Sequence, residues 1–401
     1  MLRSLFSGIT GLRQHQTLMD VVSNNIANVN TTGFKTSSVV FEDTLTQTMK
    51  NAAAPTATAG GMNPAQVGLG VQLGAISTNF GPGSAQNTGK ATDLMIQGDG
   101  FFMARNGGET YYTRSGAFTF DTDGTLVNSE GMVVQGWMGV AGVVNPDNPI
   151  GDIRIPANTQ VPPTPSAKVK LEGNITAGTT AAMTLGATVF DAQGVAHTLQ
   201  VAFASNTPPA FDITVTDNTD PANPVTGTGT VGFTAGGAYD STASTAPTIT
   251  LADGTVITFD VAKLSQYGGP KTMQVTNVDG ASSGTLQQFQ ISQDGSVLGI
   301  FNNGQKLVIA KLALANFNNP PGLEKIGNTM FRSTFNSGIA QVGSPGSGGR
   351  GLLLGGSLEM SNVDLAQEFT NLIIAQRGFQ ANSRVITTSD QMLQDLVDLK
   401  R

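Results

Sequence analysis

The chain has 401 residues, of which only 12% are charged, with 50 Gly, no Cys and a net charge of −7 at neutral pH. Without Cys there can be no disulfide and no thiolate-ligated metal, so packing alone must hold the fold. The acidic balance, with no dense Lys/Arg stripe, argues against a nucleic-acid partner.

Taken from the N-terminus, Leu2, Leu5, Ile9, Leu12, Gln16, Met19, Ser23 and Ile26 step by alternating threes and fours. That is the seam of an amphipathic helix over 1–28, interrupted at Gln16 and Ser23. Ser, Gly, Thr and Arg13 break its apolar run before a secretory h-region can form, so no cleaved signal peptide is expected. Nothing in the chain approaches eighteen apolar residues in a row, so no membrane insertion is expected either. The helix runs into NIANVNTTGFK, residues 25–35, where Asn28 and Asn30 tolerate left-handed backbone and Gly33 permits a sharp turn. Phe34 can anchor the departing chain on an apolar surface. Residues 29–67 read as a linker that ends in small residues, AAAPTATAGGMNPAQV.

From Gly68 the pattern turns to strands. Apolar runs alternate with Asp99-Gly100, Asn106-Gly107, Asp123-Gly124 and Glu130-Gly131 as far as Trp137, dipeptides that mark hairpins because Gly accepts positive φ. A Pro-rich stretch, NPDNPIGDIRIPANTQVPPTP, sets a boundary. The Thr/Gly/Ala-rich strands beyond it read as a second β domain, 151–283, inserted into an inner one made of 68–150 and 284–357. Asp294-Gly295 and Asn303-Gly304 resume the earlier hairpin style.

At the C-terminal end, Leu358, Leu365, Leu372, Phe379, Ile386 and Leu393 fall on every seventh residue, predicting a helix over 358–401. Its companion positions Gln376, Ser383 and Asp390 are polar, so the stripe is narrow. Burying a Leu-sized side chain contributes roughly 1.5–3 kcal/mol, while fixing backbone costs about 1–2 kcal/mol per residue. Either end alone would fray, which favours pairing of the two ends with each other and with other copies. The expected fold is therefore mainly β: two antiparallel β domains, one inserted in the other, with terminal helices pairing as a coiled coil.

The sequence singles out no catalytic chemistry. Of its two His, His15 lies among polar neighbours on the first helix and His197 follows a turn. GTGTVG at 227–232 matches a dinucleotide fingerprint in form, but no helix follows to receive a pyrophosphate. Asp121, Asp123 and Gly124 open like a calcium loop without its later ligands, and a hairpin turn explains them better. No enzyme, cofactor or metal is indicated.

The residues do carry a resemblance. Ala27, Asn28, Thr31, Gly33, Phe34 and Lys35 match the ANxxTxGFK signature of bacterial flagellar axial proteins, the family of rod and hook subunits. GDGFF (98–102), YTRSGAFTFDTDGTLVNSEGMVVQGW (112–137) and QRGFQANSRVITTSDQMLQ (376–394) resemble further motifs of that family, whereas 151–283 carries none. In length and in its single large insert the chain is similar to hook rather than distal-rod subunits. The resemblance implies export by the flagellar type III apparatus and self-assembly of many copies into a curved tube outside the cell. The paired end helices (Leu2 to Ile26 and Leu358 to Leu393 along the seams) would form its inner wall. It implies as partners the export gate, the hook cap, the distal rod and the hook–filament junction proteins. Phe41 and Leu45, in FEDTL, fit the spacing of an export element. Two other readings are a distal rod protein and an extracellular β-rich carbohydrate-binding or hydrolytic protein with helical arms.

Overall fold

The computed structural model of the chain describes residues 2–55, 60–140, 142–156, 158–206, 210–219 and 224–398. These form two units: Met1–Ile155 with Gln290–Leu298 and Val308–Arg401, and Pro156–Phe289 with Gly299–Leu307.

The first unit contains both helices, α1 (Leu2–Ala27) and α2 (Leu365–Asp398). They pack antiparallel. A Cβ at Gly8 would lie 3.2 Å from Ile386, one at Gly11 would lie 2.9 Å from the Asn382 amide, and one at Gly378 would collide with the His15 ring. Further along, Asn25 meets Glu368 at 3.2 Å. Every step up α1 is matched by a step down α2, in one constant register. The buried positions of α2, Glu368, Ala375 and Ser389, recur at heptad spacing with half-buried Asn382 between them.

The contact line on α1 is Gly8, Gly11, His15, Val22 and Asn25, one residue ahead of the apolar heptad read from the sequence. One residue is about 100° of helix rotation. Leu5, Ile9, Leu12, Met19 and Ile26 are consequently only half-buried. Leu358 also needs correction. It sits in the strand Ser357–Glu359, where it pairs with Gln86, and not on the helix. Helix α2 begins only after Asp364, whose carboxylate accepts the backbone N–H groups of Ala366 (2.9 Å) and Gln367 (3.2 Å) as an N-cap.

The expected linker over 29–67 is largely a β ribbon. Ser37–Asp43 pairs antiparallel with Val71–Thr78, and Thr46–Lys50 with Ala65–Gly68. Small residues and Pro hid the strand pattern here: Thr46–Lys50 and Ala65–Gly68 are exposed throughout and need no alternation, while Ser37–Asp43 alternates half-buried and exposed positions but sets Val39, Val40 and Phe41 side by side. The body of the unit is a sheet in which Val133–Met138, Phe101–Asn106, Glu109–Thr113, Met330–Arg332 and Glu324–Gly327 are successive neighbours. Phe101, Tyr112, Trp137, Phe317 and Phe331 share its core, and the Tyr112 and Phe317 rings meet edge to face at 4.8 Å.

The second unit has two sheets over one core. Met183–Phe190, Ala196–Ser205, Ala210–Asp217, Thr226–Phe233 and Tyr239–Thr245 form an antiparallel meander in chain order. Thr248–Thr250, Val256–Ser265, Lys168–Asn174 and Gln274–Val278 form the other sheet, with a parallel pair between Lys168–Asn174 and Val256–Ser265. Alternate residues point inward: Leu199, Val201 and Phe203; Phe211, Ile213 and Val215; Ile257, Phe259 and Val261. GTGTVG lies inside the strand Thr226–Phe233, which leaves no phosphate cradle. In the first unit, Asp121 and Gly124 close a turn between Phe118–Phe120 and Leu126–Asn128.

Phe203→Ala should cost about 3–5 kcal/mol, read from urea unfolding, because the side chain is fully buried. Asp253 is held down to about 2 by the Ala192 N–H, then the Thr255 hydroxyl. A carboxylate depressed on folding adds stability above its unfolded value near 3.9 and loses it as pH falls through the folded one. The melting temperature should therefore fall between about pH 4 and 2, with a shallower slope in Asp253→Asn.

Candidate functional site

The signature ANVNTTGFK is the place where α1 ends and the chain turns toward the β body. Asn28 closes the helix: its N–H donates to Asn24 O (3.2 Å) and its side-chain amide to the same carbonyl (2.9 Å). Thr31 follows, its hydroxyl donating to Asn28 Oδ1 at 3.0 Å. Ala27 is the last helical residue and is exposed. Gly33 has φ of +70°, and a Cβ there would lie 2.5 Å from the Ser115 amide nitrogen. Both the left-handed backbone and the close approach of 114–115 require glycine. Its N–H donates to Glu359 O at 2.8 Å, joining the turn to the segment just before α2.

Lys35 then enters a fully buried ionic cluster. Its ammonium lies 2.6 Å from Glu359 Oε1, with neither side chain exposed, and donates to Gly81 O at 2.8 Å. The Gly83 N–H donates to the same carboxylate oxygen at 3.0 Å. Arg114, also buried, brings Nη1 to 3.7 Å from Glu359 Oε2, donates to Gly98 O at 2.8 Å and stacks over the Phe101 ring at 5.3 Å. Burial pulls the Lys35 ammonium below its usual value; Glu359 opposes that, and the Arg114 charge adds to it. Burial likewise lowers Arg114 against the opposing pull of Glu359 and Asp99.

Around the cluster, amide side chains stitch the segments together. Asn25 exchanges two hydrogen bonds with the Ser37 backbone, at 2.8 and 3.1 Å, and reaches Glu368 of α2. Asn362 accepts the Thr36 N–H and donates to Asn79 O, both at 2.9 Å. Phe34 lies under the Lys325 ammonium at 5.4 Å, and that ammonium also donates to Ser37 Oγ. Phe41 is half-buried with its ring edge-on to His15 at 6.0 Å, while Leu45 is 81% exposed. The two positions of the expected export element thus have unlike surroundings in the folded chain.

On α2, Leu372, Phe379, Ile386 and Leu393 are half-buried and Leu365 is exposed. The Leu2 side chain lies outside those described. Sequence reasoning missed Glu359, Arg114, Asn25 and Asn362. Arg114 stood in a matched motif, and charges are scarce enough that a Glu in SLEMSN could have drawn notice; no spacing rule links it to Lys35. Among the described residues no group of His, Cys, Asp and Glu could hold a metal, and no helix is long and apolar enough to cross a membrane. The arrangement ties the end of α1 and the segment before α2 to one point of the β body.

Family models match along most of the chain. They are the flagella basal body rod protein (5–35), the flagellar hook protein FlgE/F/G D1 domain (95–177), the flagellar basal body protein FlaE D2 domain (155–281) and the flagellar basal body rod FlgEFG protein C-terminal region (354–399). The chain belongs to the family of flagellar hook and rod proteins. It is 38% identical to the flagellar hook protein FlgE of Treponema pallidum, with the whole of both chains covered. It is 33% identical to FlgE of Salmonella typhimurium over 99% of this chain and all of that one. It is also 34% identical, over the whole of both chains, to the flagellar basal-body rod protein FlgG of Bacillus subtilis. A solved structure of Helicobacter pylori flagellar hook protein FlgE2 shares the fold, with a TM-score of 0.51 at 14% identity over 67% of this chain and 98% of that one.

Removing one partner of a buried ion pair leaves a charge uncompensated, which costs about 3–5 kcal/mol. Glu359→Gln strands two buried cations and should lower the first unit's stability by about that much. The second unit should melt unchanged, so calorimetry should show a single shifted transition.

Proposed function

We propose that the chain is a structural subunit of the flagellar hook, without enzymatic activity, that assembles in many copies into a curved tube carrying torque from rod to filament. One observation carries this reading: the apolar surface the helix pair leaves uncovered. Phe6 on α1 and Phe369, Ile373 and Ile374 on α2 are each at least half exposed, and Leu5, Ile9, Leu12, Met19 and Ile26 of α1 are only half-buried. Exposed apolar rows of this length mark an interaction surface. Unlike surfaces joined head to tail generate open helical assemblies when the rotation does not close. The self-assembly seam is then the outward stripe of each helix, with Leu372, Phe379, Ile386 and Leu393 shared between the pair and its neighbours.

In this reading the helices line the inner wall of the tube and the two β units form the outer layers. The signature turn from Ala27 to Lys35 is the joint between wall and layers. Export without a cleaved signal, through a gate that contacts Phe41 and Leu45 before the chain folds, belongs to the same proposal. So do contacts with the hook cap, the distal rod and the hook–filament junction proteins. The full-length likeness to a rod protein keeps the distal rod as the second reading, whereas family membership leaves a carbohydrate-binding role without support.

Electron microscopy of concentrated or salted-out protein tests this directly: short curved tubes are expected, and straight rods would favour the second reading. Ile373→Asp and Leu372→Asp should each abolish tubes while circular dichroism shows both β units folded. Normal tubes from both variants would overturn the seam.

A further inference from the structure

The loop at 333–340 presents two large apolar side chains to solvent. Phe335 is as exposed as in an extended peptide (110%), and Ile339 is 90% exposed. Most exposed apolar residues sit singly and need no explanation. These two share one loop, and the loop is rigidly built. The Thr334 hydroxyl donates to Gly322 O at 2.6 Å, and Thr334 N–H donates to Ser337 Oγ at 2.9 Å. Ser337, completely buried, returns a bond from its hydroxyl to Thr334 O at 2.9 Å. Asn319 pins the outer turn through Asn336 O at 2.9 Å. An aromatic side chain held out on a pre-ordered backbone is the anatomy of a binding anchor, because little ordering entropy remains to be lost on contact.

Charge indicates what the anchor meets. From Ser333 to Gly349 seventeen consecutive residues carry no charge. Just before them, Arg332 is neutralised by Glu324 at 2.8 Å. A chain of net charge −7 repels its own copies, so copies approach most easily through surface without charge. A basic partner would instead be met by acidic groups, and this loop has none. A Phe335 meeting its own equivalent would close a two-fold dimer, whereas a Phe335 inserted into a different surface gives an open, propagating contact.

We propose that Phe335 and Ile339 form an apolar anchor that docks on a different surface of a second copy of this chain, a contact within the β units separate from the helical seam. This rests on the assembly reading above. The test is placement of a photoreactive phenylalanine analogue at 335 in the full-length chain, together with the variants Phe335→Ser and Ile339→Ser. Irradiated assemblies should give cross-links between copies that map outside 333–340. Each serine variant should raise the critical concentration for assembly at least tenfold, with an unchanged melting temperature because neither side chain is buried. Assembly at the wild-type critical concentration, or cross-links only between two 335 positions, would overturn the anchor. If unaltered protein forms no assemblies at all, the assembly reading itself fails, a result visible before any variant is made.

Discussion

The architecture of the first unit hangs on one buried carboxylate. Glu359 lies in the chain a few residues before α2, Lys35 lies a few residues after α1, and Arg114 comes from the β body. Three segments distant in sequence are thereby tied at a single point. A buried ion pair is weak evidence of net stability, since desolvation offsets most of the attraction. Its contribution is geometric: an ammonium and a carboxylate that are both fully buried have few tolerable positions. With the Gly33 amide also bound to Glu359 O, the exit of one helix and the approach to the other are set together.

That constraint reaches the helix pair through Asn25, which binds the Ser37 backbone on one side and Glu368 on the other. A polar pair inside a helical interface fixes register at some cost in stability. Gly8, Gly11 and Gly378 then let the helices approach where side chains would collide. The consequence is an economy of apolar surface. Within one subunit the contact is made largely by small and polar residues, and the Leu and Ile stripes stay only half-buried.

Much of this was legible in the sequence, for identifiable reasons. Heptad spacing survives in any sequence that keeps one helical face apolar, so both helices were visible, as was the β character. Turns such as Asn106-Gly107 and Asp123-Gly124 were visible because few residues other than Gly accept positive φ, whereas Asp99-Gly100 joins two strands that pair elsewhere, Leu94–Gln97 with Leu352–Gly355 and Phe101–Asn106 with Glu109–Thr113. The ribbon at 37–78 was not, since Val39, Val40 and Phe41 stand consecutively and blur the alternation of Ser37–Asp43, and Thr46–Lys50 and Ala65–Gly68 are exposed throughout and need none. Leu358 fitted the sevenfold spacing yet belongs to a strand, because periodicity does not register that Asp364 caps the helix six residues later.

The sequence by itself determined the kinds of elements and the family, since each is written in local spacing and motif. Only the tertiary structure decided which helical face turns inward and which charges meet. The face on α1 is chosen by the fit of Gly8 and Gly11 against Ile386 and Asn382, a property of two helices and not of either. The meeting of Lys35, Arg114 and Glu359 depends on three segments folding to one point, and no spacing along the chain encodes that distance.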